Sequence, residues 1–296
     1  ALCIKHDGVY LDCTFGRGGH SISILKALGK SGRLIALDRD PDAVSVGRAL
    51  ELKDSRFQIF HTEFSALDQA LILSEIKMLN GVLMDLGMSS PQLDLGERGF
   101  SFQVDGPLDM RMNPSQGQSA ADWLAKAHVD EITYVLRTYG EERFSRRIAR
   151  SIVMNRREKP IDTTLKLAQI IADAQPKQDQ HKHPATRSFQ AIRIHINQEL
   201  FELEVALEKV ITHLRPGGRL AIISFHSLED RIVKRSLRNA SRTPTGHPRM
   251  PLPDTVPKPK LRLISRAVKA SAREIEQNPR ARSAVLRIAE RTEACA

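Results

Sequence analysis

Cysteine is scarce in this sequence: Cys3, Cys13 and Cys295 are the only three in 296 residues. Thiols so few and so far apart build neither a disulfide framework nor a zinc site, and no metal is expected. The pattern suits a reducing compartment, so a cytoplasmic location is expected. Long hydrophobic runs are missing as well. No stretch approaches the roughly 18 apolar residues of a membrane helix, so no membrane partner is expected, and no signal-peptide pattern opens the chain. Internal repeats are absent and low-complexity stretches few. An apolar fraction of 41% is left to build folded cores.

Charge is present in quantity and unevenly spread. Of 45 Lys+Arg and 35 Asp+Glu, residues 231–291 hold 16 and 4, which leaves 29 and 31 elsewhere. A basic last fifth on a nearly neutral body fits a polyanionic partner. A solvated tail that only aids solubility is the plainer alternative.

Residues 8–86 alternate between two periodicities. "GVYLDCT", "GRLIALD", "RFQIFHTEF" and "NGVLMDLG" read as buried strands. "GGHSISILKALG", "DPDAVSVGRALEL" and "SALDQALILSEI" read as the helices between them, with Pro41 in a first turn and Ser65 as an N-cap. Such alternation predicts an α/β fold with a mostly parallel, doubly wound sheet. The rhythm then breaks. "MSSPQLDLGERGFSFQVDGPLDMRMNPSQGQS" reads as a long loop, followed by helical patterns in "AADWLAKA", "VDEITYVLRTYG", "ERFSRRIARSIVMNRR" and "TLKLAQIIADA". An inserted all-helical subdomain is expected over 95–187, leaving the α/β domain in two pieces, 1–94 and 188–296. The second piece opens on one long helix over 188–214, stopped at "RPGG". A fifth strand, "GRLAIISFHS", a basic helix, "LEDRIVKRSLR", and a Pro-rich connector over 241–260 come next. "LRLISR" and "SAVLRIAER" alternate as a pair of edge strands would.

In an open parallel sheet a ligand sits beyond the carboxyl ends of the strands. The turn 14–20, Asp38, the region around Phe64, and Asp85 with the residues after it all fall there. Gly16, Gly18 and Gly19 let the backbone turn tightly and approach a ligand, and Asp38 suits ribose hydroxyls. A dinucleotide turn wants G-x-G-x-x-G, but here the sixth position is Ser21. S-adenosylmethionine, with a ribose and an adenine but no phosphate, fits better. After the fourth strand, "DLGMSSPQLD" places Ser89, Ser90 and Pro91 beside Asp85, a partial match to the Ser/Asp-Pro-Pro-aromatic motif of amino-methyltransferases. Acceptors at that position localise the lone pair of a nucleobase amine and align it with a methyl donor. Phe100 or Phe102 is the candidate stacking face.

These motifs resemble the RsmH (MraW) family of bacterial small-subunit ribosomal RNA (cytosine-N4)-methyltransferases. The resemblance runs through "DCTFGRGGHS", "ALDRDPDA", "ERGFSFQVDGPLDMRM", "YGEERFSRRIARSI", "HPATRSFQAIRIHIN", "LRPGGRLAIISFHSLEDRIVKR" and "NPRARSAVLRIAERT". It implies a class I, Rossmann-like methyltransferase with a helical insertion. It further implies S-adenosylmethionine contacts at Gly18, Gly19, His20, Asp38, Phe64, Asp85 and Gln92, and N4-methylcytidine in the decoding region of 16S ribosomal RNA as the product. The family's opening segment before the first strand is missing here, and the connector 241–260 is shorter than in several relatives.

Asp85, Ser89, Ser90, Pro91 and Asp109 form the candidate catalytic set. Asp105 and Asp109, in "DGPLDMRM", either position the base or fold their loop, and Arg111 meets a phosphate or one of these acids. His226 is placed to line a base pocket, whereas Glu229 and Asp230 are expected to cap the next helix and attract Arg231. His181 and His183 lack partners at metal-ligand spacing. Arg143, Arg146, Arg147 and Arg150 gather on one helix, and Arg280, Arg282 and Arg287 are expected to alternate along the last strand. Arg111, Arg146, Arg147, Arg280 and Arg282 are the candidate RNA contacts, with ribosomal RNA or the small subunit as partner. A homodimer is compatible with the sequence. The competing readings are an RNA-binding assembly factor that retains a cofactor pocket, and a methyltransferase acting on DNA.

Overall fold

The first strand, β1 (Val9–Asp12), leads through a glycine turn into α1 (Gly19–Ala27), β2 (Arg33–Asp38), α2 (Pro41–Glu51) and β3 (Phe57–His61). A 3-10 turn over Phe64–Ala66 precedes α3 (Leu67–Leu73), and β4 (Leu79–Asp85) closes this half. The computed structural model describes residues 1–176, 183–243 and 258–293. The chain divides into two units, one of residues 1–87 and 200–296 and the other of 88–199, a wider insert than the expected 95–187. Cys295 and His181 lie outside the described residues, as does most of the Pro-rich connector.

Residues 88–199 carry α4 (Ser90–Asp94), a 3-10 turn at Gly96–Arg98, α5 (Ala120–Lys126), α6 (Val129–Gly140), α7 (Ser145–Glu158), α8 (Thr164–Asp173) and α9 (Thr186–Ile196). Among its described residues the unit holds no strand, only an isolated bridge between Pro107 and Thr163. Its own core gathers Trp123, Ile132, Leu136, Ile148, Ile152, Leu167, Phe189 and Ile192 from five helices.

The chain returns through α10 (Glu199–His213), β5 (Leu214–Ser224), α11 (Ser227–Ala240), β6 (Leu261–Leu263), β7 (Val268–Lys269), α12 (Ala272–Gln277) and β8 (Val285–Arg291). The sheet order is β3-β2-β1-β4-β5-β8-β6, with β7 also on β8. The first five strands of that order run parallel, and β8 lies antiparallel to β5, β6 and β7. Side chains alternate faces along each strand. Leu11, Ile35, Leu37, Val82 and Met84 pack with α3, α10 and α11 on one face. Tyr10, Leu34, Ala36 and Leu83 pack with α1 and α2 on the other. The sheet is therefore doubly wound, as its continuous apolar strands predict.

Five local expectations give way. The helix expected over 188–214 is two helices, because Gln198 sits in the left-handed region at φ 51 and ends the first. β5 begins at Leu214, before "RPGG", and the register shifts between Leu79 and Gly81 to absorb those residues. Ser65 is no N-cap, because the 3-10 turn takes its place. Its carbonyl instead accepts from Lys209 Nζ at 2.7 Å. Arg280 and Arg282 lie in a 3-10 turn over Pro279–Ser283, where Asn278 caps Arg280 N, so that of the three only Arg287 is on the strand. That strand is an interior one, flanked by β5 and β6.

Candidate active site

At the carboxyl edge of the sheet, four strand ends and one glycine turn converge. Phe15 N donates to Leu37 O at 3.0 Å and Cys13 N to Leu83 O at 2.9 Å, so the turn after β1 is tied to its neighbours. Gly16 and Gly18 take φ of 55° and 76°, and an added Cβ on Gly18 would strike the Phe15 ring at 2.8 Å. Gly16 and Gly19 differ: a Cβ on either would meet nothing within 4 Å. The turn thus presents bare backbone to open space.

Carboxylates rim this cradle. Asp38 holds the turn from the side, with Oδ2 accepting from Gly16 N at 2.7 Å and Oδ1 from Asp40 N at 2.8 Å. Burial pushes its pKa up to about 6 despite those hydrogen bonds. Asp12 is fully buried at the end of β1. It accepts from Ser21 Oγ at 2.7 Å and Thr14 N at 3.1 Å, and burial raises its pKa too. Thr14 Oγ1 in turn accepts from Asp85 N at 2.7 Å. Asp85 Oδ2 lies 3.4 Å from His20 Nε2, which raises the imidazole pKa. Asp85 Oδ1 is buried with no hydrogen-bond partner among the described residues. An uncompensated buried carboxylate oxygen is costly, and it marks a place for a donor. Phe64, in the turn after β3, is half-buried against the core.

This edge gathers Gly18, Gly19, His20, Asp38, Phe64 and Asp85. It also includes Asp12, which the sequence reading omits, and gives Thr14 and Ser21, named there only as turn residues, hydrogen bonds to Asp85 N and Asp12; an acid and a hydroxyl at a strand end before a glycine turn are their only signal. His226 caps α11, with Nδ1 accepting from Glu229 N at 3.4 Å, and Glu229 Oε2 accepts from Phe225 N at 2.8 Å. Asp230 also reaches the last strand. It takes a bidentate pair from Arg287 at 2.7 and 2.9 Å, which lowers its pKa.

Ser89, Ser90, Pro91, Gln92 and Asp109 belong to the helical unit. The segment expected as loop contains α4, and Ser89 N donates to Gln92 Oε1 at 3.0 Å to start it. Asp109 and Arg111 are joined by two hydrogen bonds of 2.8 and 2.6 Å. Arg111 also donates to Gly117 O at 3.1 Å. Asp105 Oδ1 accepts from Leu165 N at 3.0 Å. Asn197, another residue missed in the sequence, bridges Met110 O and Met112 N at 2.7 Å each. Phe100 is buried in the helical core, and Phe102 stacks on His183 at 4.4 Å and meets Phe189 edge-on at 4.9 Å. Neither ring is left as the expected stacking face. Arg146, Arg147, Arg280 and Arg282 are exposed.

The family model described as the MraW methylase family matches residues 1–292. The chain belongs to the MraW methylase family. It is 55% identical over 292 residues to "Ribosomal RNA small subunit methyltransferase H" of Dechloromonas aromatica, covering 98% of this chain and 94% of that protein. It is 57% identical over 295 residues to the protein of the same name from Thioalkalivibrio sulfidiphilus, covering 98% and 93%. A third of that name, from Thiobacillus denitrificans, is 56% identical over 292 residues, again covering 98% and 93%.

Proposed function

We propose that the chain transfers a methyl group from S-adenosylmethionine to the N4 amine of a cytosine in the decoding region of 16S ribosomal RNA, in the cytoplasm. The observation that carries this reading is the buried, unpartnered Oδ1 of Asp85 beside an open glycine cradle. Asp12, Asp38, Asp40 and Asp85 crowd that edge with negative charge, which disfavours phosphate and favours a cationic ligand. A molecule carrying an ammonium, a sulfonium and a ribose suits these residues.

When bound, S-adenosylmethionine supplies an electrophilic methyl on its sulfonium. The backbone of Gly18 and Gly19 admits it closely, and Phe64 gives it an apolar wall. Asp38 accepts from ribose hydroxyls on the lone pairs that Gly16 and Asp40 leave. Asp85, steadied by His20, would accept from the ammonium; for Gln92 the support is the sequence resemblance. Ser89, Ser90 and Pro91 come soon after Asp85 in the chain, and their oxygens accept the hydrogens of the target amine. That amine is a poor nucleophile because its lone pair is delocalised into the ring. Orientation by fixed acceptors supplies most of the gain. The methylated amine is acidic enough to lose its proton to water, so no strong base is required. Asp109 and Arg111 act by holding their loop. Arg146 and Arg147 on α7, with Arg280 and Arg282, face phosphates.

The test is transfer of labelled methyl to small ribosomal subunits lacking the modification, followed by nucleoside mass spectrometry. Label in N4-methylcytidine is expected. Label in another nucleoside, or on duplex DNA alone, would sink the reading.

A further inference from the structure

α11 is a basic helix whose outer side has no acid. Its exposed positions are Ser227, Arg231, Lys234, Arg235, Arg238 and Asn239, while Val233 and Leu237 enter the core. Beside it, α10 and residues 258–260 complete a groove of about 790 Å³, within the range of a ligand cleft. Among the described residues four cations line this groove, Arg235, Arg242, Lys258 and Lys260, against two acids, Glu204 and Glu208. Arg235 already donates to Glu204 at 2.8 Å. The surplus therefore rests on Arg242, Lys258 and Lys260, all exposed.

The groove is far from the chemistry. Asp85 of β4 pairs with Ile223 of β5, so α11 starts at the reactive edge of the sheet. Its 14 residues then carry the chain about 20 Å away, at roughly 1.5 Å per residue. A single small anion would need a closed cage of donors. An open set of exposed cations matches a repeating charge instead.

We propose that this groove binds the phosphodiester backbone of the RNA substrate at a second point, remote from methyl transfer; the proposal rests on the RNA reading above. Contacts so far from the reacting atoms hold ground state and transition state equally, so they set KM and leave kcat alone.

The test is the variant Arg242→Ala/Lys258→Ala/Lys260→Ala. Its binding to isolated small-subunit ribosomal RNA and to unmethylated small subunits is measured from 50 to 300 mM salt, alongside KM and kcat. The slope of log affinity against log salt should shrink by about 2, at roughly 0.7 per lost phosphate contact. KM at fixed salt should rise about tenfold with kcat within about twofold, and Lys258→Arg/Lys260→Arg should behave as the unmutated chain. If the triple variant melts early, Lys258→Ala/Lys260→Ala reads the same slope change at about 1.4. An unchanged slope overturns the proposal. So does an effect on whole subunits but not on naked RNA, which would assign the groove to an acidic protein surface. A fall in kcat at constant KM overturns the remote role. If the unmutated chain makes no N4-methylcytidine, the functional reading fails, while the salt slope on RNA still decides the groove.

Discussion

The carboxylates at the sheet edge and those of the loop 105–111 are chemically alike and differently employed. In the loop, Asp109 spends both oxygens on Arg111, and Asp105 binds Leu165 N and lies beside Thr164. At the sheet edge Asp38 and Asp12 hold the backbone that forms the cradle, yet Asp85 keeps one buried oxygen without a partner. A saturated carboxylate builds structure, and an unsaturated one in a buried place waits for a ligand. Motif richness alone does not separate these cases. The loop is the odder sequence, and its acids are the more fully occupied.

Four outcomes test this contrast. Asn197→Ala strands two buried backbone groups, Met110 O and Met112 N. It should cost the helical unit about 3 kcal/mol by denaturant titration while cofactor affinity stays put. Asp109→Ala should cost about 2 kcal/mol, between the values of exposed and buried pairs, because both partners are about three-quarters buried. Gly19→Ala should do the opposite: the added methyl meets no protein atom, so melting is unchanged, but it fills the cradle and should weaken S-adenosylmethionine roughly tenfold. If melting falls instead, the turn has no spare room.

The smallest effect is on pH. Asp38 is raised from 3.8 to about 6, so between those values the folded chain holds more protons than the unfolded one. Its contribution to the stability of the free chain is therefore complete below pH 3.8 and lost as pH rises through 6. Ribose hydroxyls bind the charged form, so affinity runs the other way and should be about fourfold weaker at pH 5.5 than at 7.5. Asp38→Asn should flatten that pH profile, measured by calorimetric titration of S-adenosylmethionine.

The strand–helix rhythm of the α/β unit was legible because buried parallel strands are continuous apolar runs and Gly and Pro punctuate them. The cradle was legible through Gly16 and Gly18, close in the chain, and through Asp38, which the strand–helix rhythm puts at the end of the next strand. Asn197 and Arg98 were not, because they are bonds that depend on where distant segments come to rest, whereas the Asp109–Arg111 pair, two residues apart, was one of two readings the sequence offered for Arg111. Arg98 Nη2 reaches Met112 O at 2.9 Å, and no spacing rule foretells it. Periodicity also misled: apolar spacing carries on across Asn197 and Gln198, while a single left-handed residue divides the helix. Arg280 and Arg282 alternate in sequence like strand residues, yet Pro279 and the Asn278 cap draw them into a 3-10 turn.

The most direct measurement is calorimetric titration of S-adenosylmethionine into the unmutated chain, Asp85→Ala and Asp109→Ala. Asp85→Ala should lose roughly 100-fold in affinity, the worth of one charge-assisted hydrogen bond near 3 kcal/mol, with its melting temperature unchanged. Asp109→Ala should bind within about twofold of the unmutated chain. Equal affinity in Asp85→Ala, or the larger loss in Asp109→Ala, would contradict the assignment of the sheet edge as the cofactor site.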